Sequence, residues 1–194
     1  MSVEIIFGLP EALRPAAVTL YWQAFGGKLG TVLGPRPHAL RFLERVMRAD
    51  HVFVAVEAGQ LRGLVGFKTP GGSFAGGGMA DLTAVYGWFG ALWRAALLDL
   101  LSRDVDNARF LLDGICVAQD ARSQGIGALL LAAIEAEARL RGYPAVRLDV
   151  IGDNWRARAL YERQGFVLVR TERLGLLRHV FGFATSLTMV KTLT

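Results

Sequence analysis

Cysteine is all but missing from this chain. Cys116 is the only one in 194 residues, which excludes an internal disulfide and any metal site built on a cysteine cluster. The histidines, His38, His51 and His179, are scattered and read as structural, so no metal is expected. The first residues lack a basic segment leading into an apolar core, so no signal peptide is expected and the protein is read as cytoplasmic. A lone thiol fits such a reducing compartment. No run of basic residues is interleaved with aromatics, which argues against nucleic acid as a partner. The net charge of +5 comes mostly from arginine; it suits a ligand with several phosphates as well as plain solubility. Residues 80–103 approach a membrane-length apolar run, since a span needs about 20 apolar residues. Arg94 and Asp99 interrupt it, and charge inside a span is expensive, so no membrane partner is expected.

What is present is a globular composition. Apolar residues make up 53% of the chain and charged ones 20%, enough to bury a core, and a single domain over residues 1–194 is expected. Residues 3–7 read as a strand. Residues 10–25 read as a helix, with Leu13, Ala17, Leu20, Tyr21 and Phe25 near helical spacing, and Gly26, Gly27 and Gly30 are expected to break it. Pro35 and Pro37 mark another break before a helix over 38–49. Residues 51–57 and 61–69 alternate around a short Gly-containing turn, the pattern of a hairpin. The Gly-rich residues 70–78 lack the Lys-Ser or Lys-Thr ending of a nucleotide-phosphate loop and read as a flexible connector. Residues 80–103 predict a helix packed against the sheet and broken near Gly87 or Gly90. Strands are predicted at 109–117, 145–151, 166–173 and 179–193. The apolar helix and the last strand could support a homodimer.

The most informative stretch is 111–166. An apolar run, 111–117, leads through a polar elbow, 118–121, to Arg122-Ser123-Gln124-Gly125-Ile126-Gly127 and then to a helix over 128–141. Strand, glycine turn, helix is how a backbone makes a phosphate site. The first amides of a helix have no intrahelical partner and point outward at the positive end of its dipole, where an anion satisfies both. Gly125 and Gly127 would let a diphosphate approach the backbone, and Arg122 adds a permanent charge. A Gly-x-Gly alone serves equally to close a tight turn. The rest of the stretch shifts the balance: a second strand at 145–151, then a short helix with Asp153 or Asn154 at its start and Gly165 at its end.

Two motifs here resemble those of the GNAT superfamily of N-acetyltransferases. One is Arg-x-x-Gly-x-Gly after a strand ending in Val, met by Arg122, Gly125 and Gly127 after Val117. The other is Asn followed by Ala-Leu-Tyr-Glu and Gly-Phe, met by Asn154, Ala159-Leu160-Tyr161-Glu162 and Gly165-Phe166. The pair covers residues 111–170, in the family's order and separation. Gln119 departs from a frequent Pro and Ser123 from a frequent Gly. The resemblance implies an α/β fold, with a mixed, mostly antiparallel central sheet, helices on both faces and two central strands splayed into a V. It also implies acetyl transfer from acetyl-CoA to a primary amine by direct attack. Arg122, Ser123, Gln124, Gly125, Ile126, Gly127 and Ala128 would hold the diphosphate. The strand edge at Ile115, Cys116 and Val117 would pair with the pantetheine amides, with the Val117 amide aimed at the thioester carbonyl; one such donor can contribute about 3–4 kcal/mol. Asn154 would contact the cofactor, or serve as helix N-cap, or both. Tyr161 would protonate the departing thiolate, or be a core aromatic.

Asp113 is the candidate general base, expected buried on the central strand and sharing a face with Ile115 and Val117 if no bulge intervenes. Asp81 and Glu57 are runners-up, an N–H-accepting role for Asp113 is equally open, and bulk water is a further alternative. Cys116 is expected to be buried and inert. The acceptor is open between a small amine, an aminoglycoside-like compound, an amino acid and a protein amine. The variable segments, 25–37 and 70–90, contain few acidic residues, which argues mildly against a highly cationic acceptor. The alternative to an enzyme is a non-catalytic coenzyme A-binding or protein-interaction module of the same fold. A Rossmann domain fits poorly, because the Gly-x-Gly lies late and no suitably spaced acidic residue follows it.

Overall fold

The hairpin announced by alternation sets the register of one half of the sheet. In the computed structural model, which describes residues 2–102, 108–175, 178 and 182–193, β2 (Val52–Glu57) and β3 (Gln60–Thr69) pair antiparallel around Ala58 and Gly59, both at positive φ. That geometry suits a two-residue hairpin turn. With β1 (Glu4–Phe7), β4 (Gly72–Ser73), β5 (Phe110–Val117), β6 (Ala145–Ile151), β7 (Val167–Arg173) and β8 (Thr185–Thr192), they form one eight-stranded sheet. Its order is β1-β2-β3-β5-β6-β8-β7, with β4 folded back on β3. Every pairing is antiparallel except β5 with β6. The mixed, mostly antiparallel sheet anticipated above is therefore what the chain builds. His179 and the expected start of the last strand at 179–181 lie outside the described residues.

Helices cover both faces. α4 (Ile126–Leu140) and α5 (Trp155–Arg163) lie on one. There Leu130, Leu131 and Ile134 of α4 pack on Val65, Phe67, Phe110 and Val146 of the sheet, all almost wholly buried. α1 (Arg14–Leu33) and α2 (Arg36–Val46) lie on the other, where Tyr21 and Leu43 meet Val54, Leu64 and Cys116. Each such side chain stabilises by about 1.5–3 kcal/mol on burial.

Two expectations fail here. The helix expected to stop at Phe25 runs on through Gly26, Gly27 and Gly30 to Leu33. Each glycine costs a helix about 1 kcal/mol, but the extension carries Val32 and Leu33, at 0% and 2% exposure, into a third cluster with Phe42 and Leu82. Burying those two side chains offsets the local preference. The long apolar helix α3 (Met79–Ser102) does break at Gly87 (φ 69, ψ 170), as predicted. It packs chiefly on α1 and α2 rather than across the sheet. Its side chains find enough apolar partners on those helices, while Trp88 and Phe89 remain exposed. Among the described residues, no helix is long and apolar enough to cross a membrane.

Candidate active site

The parallel pair β5–β6 touches only at its beginning. Phe110 pairs with Val146 and Leu111 with Arg147; beyond Leu111 no further pairing joins the two strands, although β5 stays paired to β3 on its other side. The β6-facing backbone edge of β5 from Gly114 onward is thus open to pair with an extended ligand, and parallel strands joined so briefly form a V. A cavity of about 770 Å³ occupies the opening. Asp113 and Ile115 of β5 line it, with Asp149 of β6, Asp153 and Asn154 just beyond, Tyr161 of α5 and Tyr21 of α1. Ser73, Ala75, Gly76 and Gly77 form part of its wall, so the Gly-rich segment shapes the cavity, and a short strand ties it down.

Alternation along β5 slips by one residue in the middle of this site. Gly66 of β3 pairs with Gly114, but its neighbour Phe67 pairs with Leu112, which leaves Asp113 without an opposite number. This is a bulge, and side chains beyond it swap faces. Leu112 and Ile115 both join the cluster under α4. Asp113 therefore does not share a face with Ile115 and Val117, and it is exposed rather than buried. Its Oδ2 accepts the Ala75 amide at 3.2 Å, so the N–H-accepting role is real. The runners-up have structural partners and do not line the cavity. Asp81 accepts Arg45 Nε at 2.7 Å and the Gly78 amide at 3.1 Å, and Glu57 pairs with Arg62 at 3.4 Å.

The turn before α4 has the conformation a phosphate loop needs. Ser123 (φ 64) and Gly125 (φ 81) are both left-handed. Helical bonding begins where the Gly125 carbonyl accepts the Ala128 and Leu129 amides at 2.9 and 3.1 Å, so the amides of Ile126 and Gly127 precede it. Around Gly125 a Cβ would meet nothing within 4 Å, so the space over those amides is open. Gly127 serves packing instead: a Cβ there would stand 2.9 Å from Leu160 Cδ2 of α5. Arg122 is exposed, with Nε 3.5 Å from the Val117 carbonyl, so it tethers the loop to the end of β5. Arg156 Nη2 donates to Ser123 Oγ at 3.2 Å and brings a second guanidinium that sequence reasoning passed over. The loop from Arg122 to Ala128, with Cys116 and Val117, is not part of the cavity lining and sits beyond it.

Asn154 caps α5, its Oδ1 accepting the Ala157 amide at 3.2 Å, and it lines the cavity as well. Arg158, on the same stretch, pairs with Glu162 at 2.8 Å. Tyr161 is 5% exposed and lines the cavity. Burial, and secondarily the nearby Cys116 thiol, raise its phenol above the ordinary value of 10.0, so it stays a proton-bearing donor. Cys116 is buried on the opposite face among Leu64 and Phe74, and desolvation pushes its thiol up to about 12. A thiol so protonated is no nucleophile. Tyr21, Asp149 and Asp153 were not foreseen as cavity residues; they come from separate parts of the chain, and nothing local marks them for that role. Among the described residues no group of three or more His, Cys, Asp or Glu is arranged to hold a metal ion.

The comparisons agree with this geometry. Among curated proteins none matches the chain in sequence. Among solved structures, a crystal structure of an acetyltransferase superposes with TM-score 0.66 at 19% identity, covering 98% of this chain and 100% of the other. An agmatine N-acetyltransferase mutant in its apo form gives 0.64 at 18%, with both chains covered in full. A putative streptothricin acetyltransferase from Bacillus anthracis, in complex with acetyl coenzyme A, gives 0.52 at 16%, covering 74% of this chain and 62% of that one. At such identities these likenesses speak for the fold. The family model described as acetyltransferase (GNAT) family matches residues 15–166, most of the chain, and with the splayed strands and the Arg122 loop it shows that the chain belongs to the GNAT acetyltransferase family.

Proposed function

We propose that the protein is an N-acetyltransferase that moves the acetyl group of acetyl-CoA to a primary amine by direct attack, in the cytoplasm. The observation that carries this is one cavity, opened by the β5–β6 splay, where an unpaired strand edge and a buried phenol meet, with a helix N-terminus just beyond. The residues fit acetyl-CoA. The amides of Arg122 to Ala128, with the Arg122 and Arg156 guanidiniums, offer donors for a diphosphate. The edge at Ile115, Cys116 and Val117 offers strand-like partners for pantetheine, and Asn154 faces the same cavity. When bound, acetyl-CoA supplies an activated acyl group on a thiol leaving group.

The amine nitrogen forms a bond to the acyl carbon, the carbon–sulfur bond breaks with its electron pair on sulfur, and the proton lost from nitrogen goes to water or to Asp113. Asp113 is exposed, so it would act through solvent as readily as directly. The Val117 amide is the proposed donor to the acyl oxygen. Tyr161 is the proposed donor to the departing sulfur. With a phenol pKa above that of a thiol, its contribution is a hydrogen bond to developing thiolate rather than complete proton transfer. The intact Arg122 motif, together with Tyr161 in the cavity wall, favours an enzyme over a non-catalytic module of the same fold.

Titration calorimetry with acetyl-CoA, on wild type and Arg122→Glu, tests the proposal. Micromolar binding that is lost in the variant, followed by thiol release with an amine, is the expected result. A folded wild type that binds no acetyl-CoA would sink it.

A further inference from the structure

The chemistry of the cavity wall says more about the acceptor than the variable segments do. Among the described residues, its ionisable lining, apart from the tyrosines, is Asp113, Asp149, Asp153 and Lys68, so carboxylates there outnumber the ammonium. The carboxylates come from the central strands and the turn after β6, not from the acid-poor segments 25–37 and 70–90, so the mild case against a cationic acceptor falls. Asp149 is partly engaged, accepting Thr188 Oγ1 at 2.5 Å and Arg147 Nη2 at 3.3 Å. The wall formed by α1, α2 and α3, with Phe183 just before β8, is apolar: Phe25, Leu29, Leu33, Phe42 and Leu98 come from the helices.

Tyr21 stands where the two characters meet. Its ring packs on Phe25 at 4.5 Å and Phe74 at 5.8 Å and is 6% exposed. Its hydroxyl has no hydrogen-bond partner among the described residues, although it lines the cavity. The ring is buried while the residue lines the cavity, so the hydroxyl can donate to or accept from a ligand or water there. Asp113 is near enough to raise the Tyr21 phenol further, after burial itself, so the hydroxyl keeps its proton.

Resting on the acetyltransferase reading, we infer that the acceptor is a primary amine on an apolar, ring-sized body. Its ammonium is received beside Asp113 and the Tyr21 hydroxyl, and its body lies against the helical wall. Aromatic faces there add attraction for the cation. Three other classes meet an obstacle. An amino acid brings a carboxylate among three others. A polyamine leaves a second ammonium against apolar carbon, and an aminoglycoside leaves hydroxyls there without partners.

The test is thiol release from acetyl-CoA with 2-phenylethylamine, phenylalanine, spermidine and kanamycin, together with calorimetry of 2-phenylethylamine on the protein in coenzyme A. 2-Phenylethylamine is expected to bind and to exceed the other three at least about tenfold in kcat/KM, the discrimination such a pocket can deliver. Tyr21→Phe is expected to raise its KM about fivefold, one net hydrogen bond, with KM for acetyl-CoA and the melting temperature unchanged. Preference for any of the other three, or no amine used by a protein that binds acetyl-CoA, overturns the inference. Unchanged amine KM in Tyr21→Phe overturns the role of Tyr21. Failure to bind acetyl-CoA falls instead on the parent proposal.

Discussion

Gly125→Ala separates a phosphate loop from a mere turn. Gly125 sits at φ 81 just before α4 and has nothing within 4 Å of a would-be Cβ. The substitution therefore meets no steric clash, and its effect on folding is the left-handed backbone penalty alone, about 1–2 kcal/mol. For a chain of this size that lowers the melting temperature by about 2–8 °C. The same methyl would intrude into the open space over the first amides of α4, where a diphosphate must approach. Losing one charge-assisted hydrogen bond there is worth about 1.5–3 kcal/mol, so acetyl-CoA should bind roughly 10- to 100-fold more weakly. Gly142 supplies the control. It lies just past the other end of α4, at φ 77, and also has nothing within 4 Å of a would-be Cβ. Gly142→Ala should show a similar thermal loss with unchanged affinity. Thermal melts and titration calorimetry on both variants read the two effects apart. Wild-type affinity in Gly125→Ala, or an equal loss in Gly142→Ala, would refute the assignment of the loop.

Tyr161→Phe should lower kcat about tenfold or less and leave KM for acetyl-CoA within about twofold, because a hydrogen bond and not an obligatory proton is removed; complete loss of turnover in steady-state assays would contradict that role. Both buried phenols, Tyr21 and Tyr161, hold their protons more tightly folded than unfolded. Their stabilisation is thus full below the unfolded value of about 10 and is lost as pH rises beyond it; urea unfolding at about pH 9 and pH 11 should show that fall, smaller in Tyr161→Phe. Cys116, with its thiol pushed up to about 12, should resist thiol reagents at neutral pH until the chain unfolds, and Cys116→Ala should retain activity; rapid labelling of the native protein would contradict its burial. Gly66→Ala would bring a Cβ to 2.6 Å from Phe74, whose side chain is fully buried. A loss of about 1–3 kcal/mol in denaturant unfolding is expected from overpacking, and an unchanged midpoint would mean that Phe74 can move.

The glycine turn before α4, the Asn154 cap and the β2–β3 hairpin were legible in the sequence because each depends on a few consecutive residues. Left-handed glycines, helix-terminal amides and capping side chains act over one turn of chain. The break at Gly87 was legible for the same reason. Other features depend on partners far away in sequence. The bulge that exposes Asp113 is a register relation between β5 and β3, and no pattern within β5 records it. The continuation of α1 through Gly26, Gly27 and Gly30 is decided by what Val32 and Leu33 find to pack against. The acidic, Tyr21-edged cavity gathers residues from α1, β5 and the end of β6, which only the splay brings to one place. By itself, then, the sequence determined the family and the local turns, caps and hairpin. Tertiary structure decided which carboxylates and phenols meet in the cavity, because their meeting is a property of strand pairing and helix packing and not of neighbouring residues.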